Sequence, residues 1–202
     1  MIVLDPEIKQ DIGLVENGNK NKNMISMKKL FEEETPKISY TIYCDMDGVL
    51  ADFEARFEHF AGLSPDEYRK EITQKYGEKQ VSKMFWNLID KQIGVRFWRG
   101  IPWMPGGQQL WDYIKPYNPT LLTAPSFDDS SRIGKGLWVK DHIPGAKIIF
   151  RQAKQKSELA NNNSILIDDR EDTIMSWKAK NGIGILYKST DQAISELKQL
   201  GL

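Results

Sequence analysis

Ser39-Tyr-Thr-Ile-Tyr-Cys-Asp45 runs straight into Met46-Asp47-Gly48. A short run this rich in β-branched and aromatic residues reads as a strand, and the glycine permits a tight turn directly after it. Four further short apolar runs follow: Pro119–Thr123, Ala146–Phe150, Ser164–Asp168 and Ile183–Tyr187. Helical patterns separate most of them. Fully apolar strands alternating with helices predict a parallel sheet covered on both faces. Right-handed crossovers then align the strand C-termini along one edge, where an open α/β sheet places its site. Asp45 stands at that edge.

The interval between the first strand and the next, residues 54–118, is too long for one crossover helix. Ser64-Pro-Asp-Glu67 is a capping box with proline at the first helical position, and Gly77 supplies the stop. A second helix fits 78–93, with Val81, Met84, Phe85, Leu88 and Ile89 on one face and Gly94 after it. Pro105-Gly-Gly107 opens another, with Leu110, Trp111 and Ile114 on one side. Residues 54–104 therefore read as a helical insertion placed over the C-terminal edge of the first strand. At the other end, the polar stretch Glu16–Asn23 lacks a hydrophobic period. It marks residues 1–38 as a flexible extension, with one short helix fitting Met24–Glu34. The folded domain is expected over 39–202.

Composition narrows the function. The 202 residues hold 28 Lys plus Arg and 28 Asp plus Glu, a formal net charge of zero. A dedicated duplex-DNA binder draws its affinity from cationic surface, so no stable nucleic-acid partner is expected. One cysteine, Cys44, and two histidines, His59 and His142, exclude a disulfide framework and a Cys- or His-rich metal centre. No apolar run approaches the roughly 20 residues that span a bilayer, and the first residues do not form a secretory signal. The expectation is a cytoplasmic protein without a membrane partner; a homodimer stays open.

Asp45 and Asp47 follow one strand, and Asp168 and Asp169 close another. Turn chemistry accounts for Asp-x-Asp-Gly alone, and Asp169 as a helix cap accounts for one acid of the second pair. Neither accounts for four acids at one sheet edge. Gathered there, they would repel one another unless a cation intervened, and hard oxygen donors point to Mg²⁺. Thr123 ends a strand where its hydroxyl can hold a phosphate oxygen. Lys156, twelve residues before Asp168, can neutralise phosphate, with Lys154 and Lys135 competing. Phe53, Phe85, Trp86, Phe97, Trp98 and Trp103 lie in or beside the insertion. They read either as a stacking platform for a base or as the insertion's own core.

These residues resemble a family. Tyr43-Cys-Asp-Met-Asp-Gly-Val-Leu-Ala-Asp-Phe53 is similar to the first motif of haloacid-dehalogenase-superfamily phosphatases, and particularly to that of the 5'(3')-deoxyribonucleotidases. Leu121–Pro125, Lys135–Val139 and Ile165–Arg170 agree in order, with Ala124 standing where a small hydroxyl residue is expected. The resemblance implies a Rossmann-like α/β core with a small helical cap and Mg²⁺-dependent hydrolysis of nucleoside monophosphates. It implies Asp45 as a nucleophile that becomes aspartyl-phosphate and Asp47 as acid and base. Asp45, Asp47 (through its carbonyl), Asp168 and Asp169 would be metal residues, and Thr123 and Lys156 would bind phosphate. Phe53, Trp98 and Lys135 are the candidates for binding the rest of the substrate. A sugar-phosphate phosphatase and a nucleic-acid 3'-phosphatase are the rival readings. A P-loop kinase and a serine hydrolase have no motif here.

Overall fold

The computed structural model describes residues 39–202; the extension 1–38, with the helix expected at Met24–Glu34, lies outside the described residues. These form one five-stranded parallel sheet of order β3-β2-β1-β4-β5. Its strands are β1 (Thr41–Cys44), β2 (Thr120–Thr123), β3 (Lys147–Phe150), β4 (Ser164–Asp168) and β5 (Ile183–Leu186). Each falls within an apolar run of the sequence. Every residue of β2 and β4 is buried, as two-sided cover requires.

Alternation along the strands divides the core. Ile42, Cys44, Leu121, Ile165 and Ile167 join the larger cluster, and Leu122 and Leu166 join Ile174 and Trp177 on the other. Helices α5 (Gly107–Ile114) and α9 (Thr190–Gln199) bring Leu110, Ile114, Ala193 and Leu197 to the larger cluster. Helix α8 (Glu171–Lys178) covers the smaller with Ile174 and Trp177. The result is a Rossmann-like α/β fold. Because β1 is central, the order reverses around it, and a crevice opens at the C-terminal ends of β1 and its neighbours.

Between β1 and α5 the chain builds α1 (Phe53–Ala61), α2 (Pro65–Tyr76), α3 (Glu78–Trp86) and α4 (Val95–Arg99). Ser64 and Glu67 form the reciprocal capping box that starts α2. The helix expected over 78–93 departs from α geometry: after Trp86 the chain continues as a π-helical segment, Asn87–Ile93. The wider turn brings two consecutive side chains, Ile89 and Asp90, inward together. Phe57, Phe85, Ile89, Phe97 and Trp98 are all buried, so most of the insertion's rings pack on one another. The insertion is clipped at its base. Asp52 N–H donates to the Pro102 carbonyl at 2.9 Å and Met104 N–H to the Leu50 carbonyl at 2.8 Å, with Ala51 bridged to Trp103.

The insertion's last helix lies directly on α6 (Asp129–His142). A Cβ at Gly134 would stand 2.4 Å from Trp98 Cβ and 2.9 Å from the Val95 carbonyl oxygen. Only a bare Cα allows that approach. Gly134→Ala should therefore force α4 off α6 and lower stability by about 1–3 kcal/mol, the usual cost of overpacking. Thermal denaturation checks this, and a melting temperature equal to wild type would contradict the packing described.

Candidate active site

Four segments converge on the C-terminal edge of the sheet. The register pairs Cys44 with Ile167, so Asp45, the next residue, stands beside Asp168. Asp45 N–H donates to the Ile167 carbonyl at 2.8 Å, which carries the ladder one residue past the strand. Asp168 is fully buried and Asp45 nearly so. Lys156, at the end of the short helix α7 (Ala153–Lys156), reaches between them. Its ammonium lies 2.8 Å from Asp45 Oδ2 and 2.7 Å from Asp168 Oδ2. Lys154 is exposed, so Lys156 is the lysine of this helix that enters the site.

Asp169 completes an acidic group. Asp45, Asp168 and Asp169 each offer an oxygen, all within 4.8 Å of one another. The helix-cap account of Asp169 does not hold, because α8 is preceded by Arg170 and has no side-chain cap. Its carboxyl instead packs against the turn after β1. There Gly48 has φ +74°, and a Cβ would meet Asp169 Oδ2 at 2.5 Å. The glycine is thus needed both for its conformation and for room.

Crowding shows in the proton affinities. Burial, then the Asp45 charge, raises the Asp168 carboxyl well above the usual range. Burial and Asp45 likewise push Asp169 up to about 6. At Lys156 burial works to release the proton, but Asp45 and Asp168 outweigh it and hold the ammonium charged. One ammonium among three carboxylates leaves the cluster short of positive charge. Three hard oxygen donors fit a divalent cation such as Mg²⁺.

Asp47 lies apart from this group. Its carboxylate, which a metal role through the carbonyl does not use, turns to Lys135, with Nζ 2.5 Å from Oδ2. Any share it takes in cation binding therefore falls to its backbone carbonyl. Its other oxygen, Oδ1, is covered and has no hydrogen-bond partner among the described residues. Burial raises the Asp47 carboxyl, and Lys135 partly offsets the effect. Lys135 also donates to Thr123 Oγ1 and to the Ala124 carbonyl, both at 2.8 Å.

Of the three candidates for the remainder of a substrate, Trp98 and Lys135 are buried. Trp98 is only 2 % exposed, and its indole N–H donates to Asp90 Oδ1 at 3.1 Å. Its ring is packing material of the insertion and a roof over the Lys135 ammonium, 5.1 Å from the ring centre. Lys135 is fully buried, with its bonds directed inward. Phe53, at the first turn of α1, is half-buried, and its ring lies against Phe57, Phe85, Phe97 and Trp98. The sequence reading missed Asp90, which is buried and also accepts from Ser126 Oγ at 3.0 Å. With the ion pair from Lys91 to Asp128, it ties the π-helical segment to the loop after β2. These partners lie 36 and 37 residues apart, and no local pattern announces them.

No protein-family model matches the sequence, and no curated protein matches it. Among solved structures, the chain is similar to a hydrolase from Streptococcus pneumoniae TIGR4 at 14% identity and TM-score 0.48, covering 79% of this chain and 99% of that one. A predicted phosphatase from Clostridium acetobutylicum is similar at 14% identity and TM-score 0.48, over 81% of this chain and 91% of its own. A HAD family enzyme from Bacteroides thetaiotaomicron, in complex with magnesium and inorganic phosphate, is similar at 15% identity and TM-score 0.44, over 74% and 94%.

The raised carboxyls make stability depend on pH. A carboxyl whose pKa is higher in the folded chain binds more protons there than in the unfolded chain, so stability falls as pH rises through the interval between the two values. For Asp169 that interval runs from about 4 to about 6. The metal-free protein should lose melting temperature across it, and less steeply as Asp169→Asn. Mg²⁺, which competes with those protons, should raise the melting temperature more at pH 7.5 than at pH 5. Calorimetric scans at both pH values check this; an equal Mg²⁺ effect at both would contradict the assignment of the cluster.

Proposed function

We propose that this chain is a Mg²⁺-dependent phosphomonoester hydrolase of the haloacid-dehalogenase type. The observation that carries the reading is the Asp45–Lys156–Asp168 arrangement, with Asp169 beside it and Asp47 two residues on with one oxygen unpartnered. Asp45, Asp168 and Asp169 would hold Mg²⁺, which when bound neutralises charge on the phosphoryl oxygens.

The chain's own residues account for the rest. An Asp45 carboxylate oxygen attacks phosphorus and forms a new P–O bond as the ester P–O bond breaks, giving aspartyl-phosphate. Asp47, raised by burial and therefore able to carry a proton, gives it to the departing oxygen. Asp47 then takes a proton from water, whose oxygen attacks phosphorus and frees Asp45 and inorganic phosphate. Lys156 uses two of its three protons on carboxylates, so one remains for a phosphoryl oxygen. Thr123 Oγ1 accepts from Lys135, so its own hydroxyl proton is the one it can donate. Such transfers need mainly in-line positioning and fixed positive charge.

For the substrate we infer a nucleoside monophosphate, as in the 5'(3')-deoxyribonucleotidases that the first motif resembles, with Phe53 as the ring left to contact a base. One observation favours a second reading, a sugar phosphate: Phe57 stacks on Phe85 and Phe97 meets Trp98 edge to face, all four buried, which removes most of the expected stacking surface. Both readings take a small substrate and need neither a membrane nor a nucleic-acid partner. Among the described residues no helix is long and apolar enough to cross a membrane.

Phosphate release should require Mg²⁺ and fall by several orders of magnitude in Asp45→Asn, which loses nucleophile and metal ligand together. Asp47→Asn should lose about 10²–10⁴-fold in turnover with Mg²⁺ affinity little changed, whereas Asp168→Asn should lose Mg²⁺ affinity by calorimetry. A panel of deoxy- and ribonucleoside monophosphates, sugar phosphates and a 3'-phosphorylated oligonucleotide separates the substrates. Preference for sugar phosphates selects the second reading, and no release from any of them refutes the proposal.

A further inference from the structure

Two buried lysines serve this edge, and their proton inventories differ. An ammonium has three protons and accepts nothing. Lys156 uses two of them on Asp45 and Asp168. Lys135 uses all three: Asp47 Oδ2 at 2.5 Å, Thr123 Oγ1 at 2.8 Å and the Ala124 carbonyl at 2.8 Å. It is fully buried, and the Trp98 ring covers it. Trp98 is held in turn by Asp90, which Ser126 also bonds. Gly134, next to Lys135, is the bare position that lets the helix carrying Trp98 come so close.

A fourth bond from Lys135 to a phosphoryl oxygen would require breaking one of these three and leaving a buried acceptor without its partner. The bond to Asp47 has a directional effect. It fixes Oδ2 and so sets the carboxyl plane, leaving Oδ1 as the covered, unpartnered oxygen able to exchange a proton.

We propose that Lys135 is a positioning residue that acts through Asp47, fixing its carboxyl for transfer of a proton to the leaving oxygen, and that it does not bind the phosphoryl group. This rests on the phosphatase reading above. Trp98 is the second part of the device: it keeps water from the Lys135 ammonium. The same bond network orients Thr123, so Lys135 coordinates the acid on β1's loop with the hydroxyl ending β2. Ala124 adds a backbone carbonyl to this set, and its methyl side chain contributes no hydroxyl there.

The test uses two esters that differ in their need for a proton. An alkyl phosphate leaves as an alkoxide unless protonated, whereas p-nitrophenyl phosphate leaves as a stable phenolate. In Lys135→Met, kcat/KM for the best alkyl phosphate of the panel should fall by about a hundredfold, the scale of acid catalysis, and for p-nitrophenyl phosphate by clearly less. Inhibition by inorganic phosphate should stay within about twofold, since every 1.4 kcal/mol of lost binding would show as tenfold. Adding Lys135→Met to Asp47→Asn should cost little more than Asp47→Asn alone. Equal losses on both esters with tenfold weaker phosphate inhibition would overturn the proposal and make Lys135 a phosphate ligand. If Lys135→Met does not fold, Trp98→Phe takes its place: the ester-dependent loss should appear at smaller amplitude, and equal losses overturn the proposal. A wild-type protein that hydrolyses neither ester removes the phosphatase reading itself, a result visible before any variant is made.

Discussion

Asp45 and Asp168 are brought side by side by strand register, and neither can be moved without unpairing the β1–β4 ladder. Two carboxylates in so dry a place repel, and Lys156 is the side chain that lets them coexist. Much of the edge answers to that constraint. Helix α7 ends on Lys156 and delivers its ammonium between the two acids. The turn after β1 needs Gly48 because Asp169 occupies the space a side chain would take. Placing charges in a fold before any ligand binds is the arrangement that electrostatic stabilisation requires, since the reorganisation has been done in folding.

The two buried lysines show how one residue type is given separate tasks by geometry. Lys156 is set among acids that outnumber it, so its charge stays available to an incoming anion. Lys135 meets one acid, one hydroxyl and one carbonyl, and is complete without a ligand. Replacing Lys135 by arginine would not be conservative, because a planar guanidinium does not match three converging acceptors as an ammonium does.

The sheet was legible in the sequence because its signals are local: an apolar run, a turn glycine, an acid at the strand end. Asp45, Asp168 and Asp169 were legible for the same reason, since each sits at the end of a recognisable strand. Asp47 was half legible. Its position followed from the chain, but the direction of its carboxylate depends on Lys135, 88 residues away. Trp98 was ambiguous in the sequence because aromatic content signals stacking and core equally, and only burial separates them. The break at Trp86 into a π-helical segment escaped because Leu88 and Ile89 continue an ordinary helical period, while the side chain that uses the wider turn, Asp90, finds its partners 8 and 36 residues away.

The clip that joins Ala51 to Trp103, with its flanking backbone bonds, has a consequence for chain entropy. It fastens the two ends of the insertion together at the sheet, so everything between them is a closed loop anchored at a fixed neck. The entropy of closing such a loop rises only logarithmically with its length, by about 0.6 kcal/mol for each doubling. The neck therefore makes the length of the insertion nearly neutral to the core. Residues added above Ala51 and Trp103, away from the α4 surface that packs on α6, would cost little closure entropy while the acids below keep their register.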